Sequence, residues 1–149
     1  MSTSTNLQNL IANWKPRIEV NQQAQHAASI KSNKYHYAIG LPATILTTIA
    51  GATLLTETND PRIKVAVGVF GLIAAALSAV QTFYSYAQRA EAHRSTSAQL
   101  GDVRRELEVL ENFPPGSRAA EEEYVRRISE RLSKLGETAP IVKGVSLLR

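Results

Sequence analysis

Two stretches of this chain carry no charge, and the rest is built from polar helices. Ala38–Leu55 reads AIGLPATILTTIAGATLL and Val65–Phe83 reads VAVGVFGLIAAALSAVQTF. At 1.5 Å rise per residue these helices would be roughly 27–29 Å long, the thickness of a bilayer's hydrocarbon core. The second is the more apolar. Its nine Val, Leu, Ile and Phe residues contribute about −3 to −5 kcal/mol on an insertion scale. The first has seven such residues, diluted by four Thr, two Gly and Pro42, and inserts most readily as half of a hairpin.

The connector Thr56–Lys64, TETNDPRIK, is too short for anything but an antiparallel return. Asp60 is a good N-cap and Pro61 suits a first helical position, so the second helix is predicted to start there. Before the first span, Leu7, Leu10, Ile11, Trp14 and Ile18 recur at helical spacing. Pro16 belongs in a first turn or at a kink, which places the start of the membrane-entering helix near Trp14. Pro42 removes a bond to the Ala38 carbonyl and predicts a kink in the first span.

After Phe83 nothing stops the helix before Pro114–Pro115–Gly116. Leu100, Val103, Leu107 and Leu110 form a 3-4-3 stripe, and Ser95–Gly101 is the weak point where a bend is expected. Ser117 caps a last helix, with Glu121, Glu122 and Glu123 at its positive end. Val125, Ile128, Leu132 and Leu135 repeat the stripe, and Gly136 is expected to end it. The fold expected is all-α: a two-transmembrane helical hairpin whose long helices extend into a cytoplasmic helical bundle. Its parts are an N-terminal cytoplasmic helix (1–37), spans at 38–55 and 65–83, a turn at 56–64, a cytoplasmic extension with the C-terminal helix (84–135), and a loosely ordered tail (136–149).

Charge decides how this is read. Of 149 residues, 30 are charged, yet none falls in 35–56 or 65–88. A water-soluble core with charge spread over every surface helix does not produce that segregation. Lys31, Lys34, Arg89 and Arg94 flank the large side against Arg62 and Lys64 in the connector, so the positive-inside bias puts both termini in the cytoplasm. The formal charge of +4 is scattered, with no basic recognition helix, and nucleic acid is not an expected partner. The N-terminus does not read as a secretory signal.

Each span has a small, weakly polar side: Gly40, Thr44, Thr47, Thr48 and Gly51 on the first, and Gly68, Gly71, Ala75, Ser78 and Thr82 on the second. With Gln81, the most polar residue at membrane depth, these form a candidate stripe for helix packing or, in an oligomer, for lining a pore. Trp14, Tyr35, Tyr37, Tyr84, Tyr86, Arg89, His93 and Arg94 are candidate interface anchors. For Trp14 core packing is an equal alternative, and for His93 a helix contact. Without cysteine there is no thiol chemistry. His26, His36 and His93 have no metal-ligand spacing, and no phosphate-loop, HExxH or nucleophile-elbow motif occurs. No enzyme, metal site or cofactor is expected.

The segments HAASIKSNKYHYAIG (26–40) and AQRAEAHRSTSAQLGDVRRELE (87–108), with APIV at Ala139–Val142, sit around a short polar turn. In this the chain resembles the SLATT family of two-transmembrane effector domains from bacterial conflict systems. That resemblance covers roughly Trp14–Lys143 and rests on helical patterns. It implies a membrane effector that breaches the inner membrane in an anti-phage response, alongside a sensor or second-messenger-producing partner, and it supplies no catalytic residues. The expected function is an oligomeric inner-membrane, pore-like effector in contact with lipid. The alternatives are a membrane-anchored helical scaffold that conducts nothing, and a soluble helical bundle with a buried hairpin.

Overall fold

The computed structural model describes residues 2–54 and 60–143. All its elements are helices: α1 Ser2–Leu54, α2 Pro61–Tyr84, α3 Tyr86–Asn112 and α4 Arg118–Thr138. They divide into two compact units. One comprises residues 1–29 and 91–149, the other residues 30–90.

The first unit is a three-helix bundle. The 3-4-3 stripes become its core. Leu100, Val103, Leu107 and Leu110 of α3 meet Ile128, Leu132 and Leu135 of α4 and Ile11 and Ile18 of α1, with Leu7, Trp14 and Val125 packed against them. This packing corrects the expected start near Trp14: α1 is already helical from Ser2 and runs through Pro16. An interior proline costs about 3 kcal/mol. Burial of Ile11 and Ile18 on either side of it returns about 1.5–3 kcal/mol each, enough to carry the helix across.

Around this core lie ion pairs between helices: Lys15–Glu111 at 2.8 Å, Arg104–Glu19 at 3.7 Å, and Arg131–Glu106. The Glu111 carboxylate, accepting from Lys15, holds that ammonium above its ordinary range. Such exposed pairs contribute little each and serve mainly to set helix register.

The expected weak point at Ser95–Gly101 is unbroken helix. Its small residues are there for close approach. Ser97 Oγ donates to the Gln22 carbonyl at 3.1 Å, and a Cβ on Gly101 would stand 2.8 Å from Gln22 Nε2.

The chain breaks instead at Ser85, between α2 and α3, the one non-glycine residue with positive φ among those described (φ 47°, ψ 45°). Its hydroxyl donates to the Thr82 carbonyl at 3.1 Å, one of the acceptors left over where the helix stops. Helix α4 also departs from expectation. It is capped by Ser117, which accepts from Ala120 N–H, but passes through Gly136 and ends at Thr138. Gly136 is exposed with open space around it, so it costs only about 1 kcal/mol in mid-helix. Pro140 is what stops the helix, forcing Ala139 into extended backbone (ψ 136°). Of the expected loose tail, residues 136–138 are helical, and residues 144–149 lie outside the described residues.

The second unit pairs the C-terminal part of α1 with α2 and the first residues of α3. Asp60 caps α2 as expected, its carboxylate accepting from Arg62 N–H at 2.9 Å, with Pro61 in the first turn. Helix α1 continues through Pro42.

Candidate functional site

The hairpin unit has a seam of small residues. Among the less exposed positions are His36, Gly40, Ala43, Leu46 and Ala50 along α1 and Val67, Gly71, Ala74, Leu77 and Gln81 along α2. Both sets advance by four, three, three and four residues, which keeps one face of each helix toward its neighbour. Ala43, Ala50 and Ala74 are its fully buried members within the two spans. Alanines here let the helices approach with little side-chain entropy to lose.

At one end of this seam sits its polar element. Gln81 Nε2 lies 3.1 Å from His36 Nδ1, and a Cβ on Gly40 would stand 2.8 Å from that same amide nitrogen. Gly40 therefore makes room for Gln81, and His36 satisfies it. Without that partner the half-buried amide would forfeit a hydrogen bond worth about 0.5–1.5 kcal/mol net. Sequence reasoning singled out Gln81 and missed His36. The available signal was spacing: antiparallel helices joined by a short turn bring residues near 36–40 opposite 81.

The candidate stripe is mostly turned away from this seam. Gly40, Gly71 and Gln81 belong to the seam, whereas Thr44, Thr47, Thr48, Gly51, Gly68, Ala75, Ser78 and Thr82 are exposed. No atom lies within 4 Å of a Cβ built on Gly51, Gly68 or Gly71. The Thr44, Thr47, Thr48 and Thr53 hydroxyls donate to the carbonyls of Gly40, Ala43, Thr44 and Ile49, at 2.8–2.9 Å. Each is satisfied by its own helix.

Outside the seam the unit is an apolar surface. Of α2 only Ala74 is buried, while Val65, Leu72 and Phe83 are 67%, 74% and 82% exposed. On α1, Leu41, Ile45 and Ile49 are likewise exposed. Large exposed apolar faces mark surfaces that meet another protein, a ligand or a membrane. Among the described residues one helical stretch, Pro61–Asn112, is long and apolar enough to cross a membrane. The first expected span, 38–55, ends in residues outside those described.

The candidate anchors separate into two groups. Tyr35 and Tyr86 approach at 5.7 Å between ring centroids, Tyr84 stacks on Tyr86 at 5.4 Å and 11°, and Tyr37 packs beside His36. Arg89 and Arg94 are exposed. Trp14, His93 and Arg94 belong to the bundle unit. Trp14 packs on its core, and His93 is buried, with Nδ1 2.6 Å from Gln25 Oε1. Gln25 Nε2 donates to the Pro140 carbonyl at 3.0 Å. Because that carbonyl can only accept, the amide orientation is fixed, and His93 must donate from Nδ1. This buried glutamine joins α1, α3 and the segment after α4.

Among the described residues no group of three or more His, Asp or Glu side chains could hold a metal ion. No family model matches the chain, and neither does any curated protein or solved structure.

Proposed function

We propose that the chain is an oligomeric effector of a bacterial inner membrane that permeabilises it in a conflict response. The hairpin of α1 and α2 spans the bilayer twice, and both termini lie in the cytoplasm. The observation that carries this reading is the surface of α2, a 24-residue helix with one buried residue and large aliphatic and aromatic side chains facing outward. Lipid is the solvent that such a face requires. The resemblance to the SLATT effectors points the same way. So does the bias of Lys31, Lys34, Arg89 and Arg94 over Arg62 and Lys64.

Two helices cannot enclose a pore, so conduction takes several copies. The exposed face of Gly68, Ser78 and Thr82 is the surface through which copies approach, because small residues let backbones come close. A gate built there is steric or hydrophobic, since no ionisable side chain lies between residues 65 and 83.

The test is expression in cells carrying a membrane-potential dye, with Gly68→Leu and Ser78→Leu as variants. Gly68 and Ser78 are both exposed, on the face away from the seam. The added bulk thus leaves the isolated hairpin undisturbed and is felt only between copies. Wild-type chain should collapse the potential, and each variant should preserve it. Toxic expression with the potential intact overturns the reading in favour of a non-conducting scaffold.

A further inference from the structure

We propose that the tyrosine-rich end of the hairpin unit binds the phosphate of an anionic phospholipid. The inference rests on the membrane reading above and adds which lipid the chain selects.

Lys31, Lys34, Arg62, Lys64 and Arg89 against Glu57 and Asp60 give residues 30–90 a net charge of +3, three quarters of the chain's +4. Three of those cations, Lys31, Lys34 and Arg89, lie within 30–37 and 83–90, segments with no Asp or Glu. All three are exposed. Six of the chain's cations, Lys15, Arg104, Arg105, Arg118, Arg126 and Arg131, pair with carboxylates. Lys31, Lys34 and Arg89 form no salt bridge among the described residues, and neither of their segments supplies a carboxylate, which leaves their charge open to an anion from outside the chain.

The neighbouring groups specify its chemistry. Tyr35, Tyr84 and Tyr86 form a stacked set, and Phe83, 82% exposed, packs beside Tyr84 at 5.5 Å. Amphipathic rings prefer the depth of the headgroups. The exposed α2 span runs directly from this end, so a ligand with a phosphate and acyl chains meets cations, phenols and aliphatic surface in that order. Free phosphate would use only the first. A charge-assisted contact to one phosphate strengthens binding by roughly tenfold.

The experiment uses the full chain in neutral-detergent micelles. It is titrated with fluorescent short-chain phosphatidylglycerol and, separately, with the phosphatidylcholine analogue, and binding is followed by anisotropy. The wild-type chain should prefer phosphatidylglycerol by about tenfold. The triple variant Lys31→Gln, Lys34→Gln, Arg89→Gln, checked for unchanged helicity, should bind both lipids alike. Inorganic phosphate should displace the glycerolipid no better than chloride at matched ionic strength. Equal binding of the two lipids by wild type overturns the proposal, as does a triple variant that keeps the preference. Specific displacement by phosphate overturns it in favour of a free-anion site. In a separate arm, detergent is removed in the presence of neutral phosphatidylcholine vesicles. Co-flotation upholds the membrane reading whatever the lipid titration gives. A chain left in the aqueous fraction sinks the membrane reading and the lipid site together.

Discussion

Replacing Gln25 by leucine should be among the most damaging single changes available in the bundle unit. The volume is nearly kept, and the backbone remains helical, so the effect isolates the polar contacts. Gln25 is 2% exposed. It loses the bond to the Pro140 carbonyl and the bond from His93 Nδ1. A hydrogen bond contributes about 0.5–1.5 kcal/mol net, and a buried donor deprived of its acceptor costs about 1–3 kcal/mol. His93 is buried and Pro140 only half so, which makes the sum about 2–4 kcal/mol. That corresponds to a fall in melting temperature of roughly 5–15 °C for a chain of this size. Thermal unfolding in neutral detergent, followed by far-UV circular dichroism, measures it, with exposed Gln23→Leu as the control. A double-mutant cycle with His93→Phe should show a coupling above about 0.5 kcal/mol. If Gln25→Leu melts within about 0.5 kcal/mol of wild type, or Gln23→Leu costs as much, the three-way junction is not holding the bundle closed.

Two further substitutions check the remaining packing. Leu107→Ala should cost about 2–5 kcal/mol by opening a cavity in the bundle core, while exposed Val109→Ala on the same helix should stay within about 0.5 kcal/mol; denaturant unfolding in detergent reads both. Ser85→Val should destabilise by about 1–3 kcal/mol, because a β-branched residue resists positive φ. Ser85→Gly should be close to neutral, its relief of strain offset by loss of the hydroxyl bond to Thr82. Equal melting of those two variants would show that the chain turns at Ser85 without strain.

The parts legible from sequence were those with a local physical cause. The 3-4-3 stripes of α3 and α4 marked a packing face, because their apolar positions share one side and most of the remaining positions are polar or charged, although spacing alone left open whether a bundle core or a coiled coil between subunits would cover it. Asp60–Pro61 and Ser117 marked helix starts through side chains suited to satisfy free N–H groups. Other features depend on what lies across the fold. Pro16 looked like a boundary because its cost is local, whereas the burial of Ile11 and Ile18 that offsets it is tertiary. Ser85 carries no signal of its own, since serine sits equally well in a helix and the left-handed turn is imposed by its surroundings. The hairpin seam was illegible for a different reason. Small residues occupy more than one face of both spans, so periodicity could not choose between the Ala43–Ala50 face and the Thr44–Gly51 face. Only pairing the helices places Ala43, Ala50 and Ala74 inside and leaves most of the glycine and threonine stripe outside.

The inward-bonded threonines carry a consequence for anything that approaches that stripe. Thr44, Thr47 and Thr48 have each committed their proton to a carbonyl one turn back. What remains on the outer surface is oxygen lone pairs and methyl groups. This side of α1 therefore offers a neighbouring molecule a short ladder of acceptors and no threonine donor, so a hydrogen bond made to it has to be given by the other party.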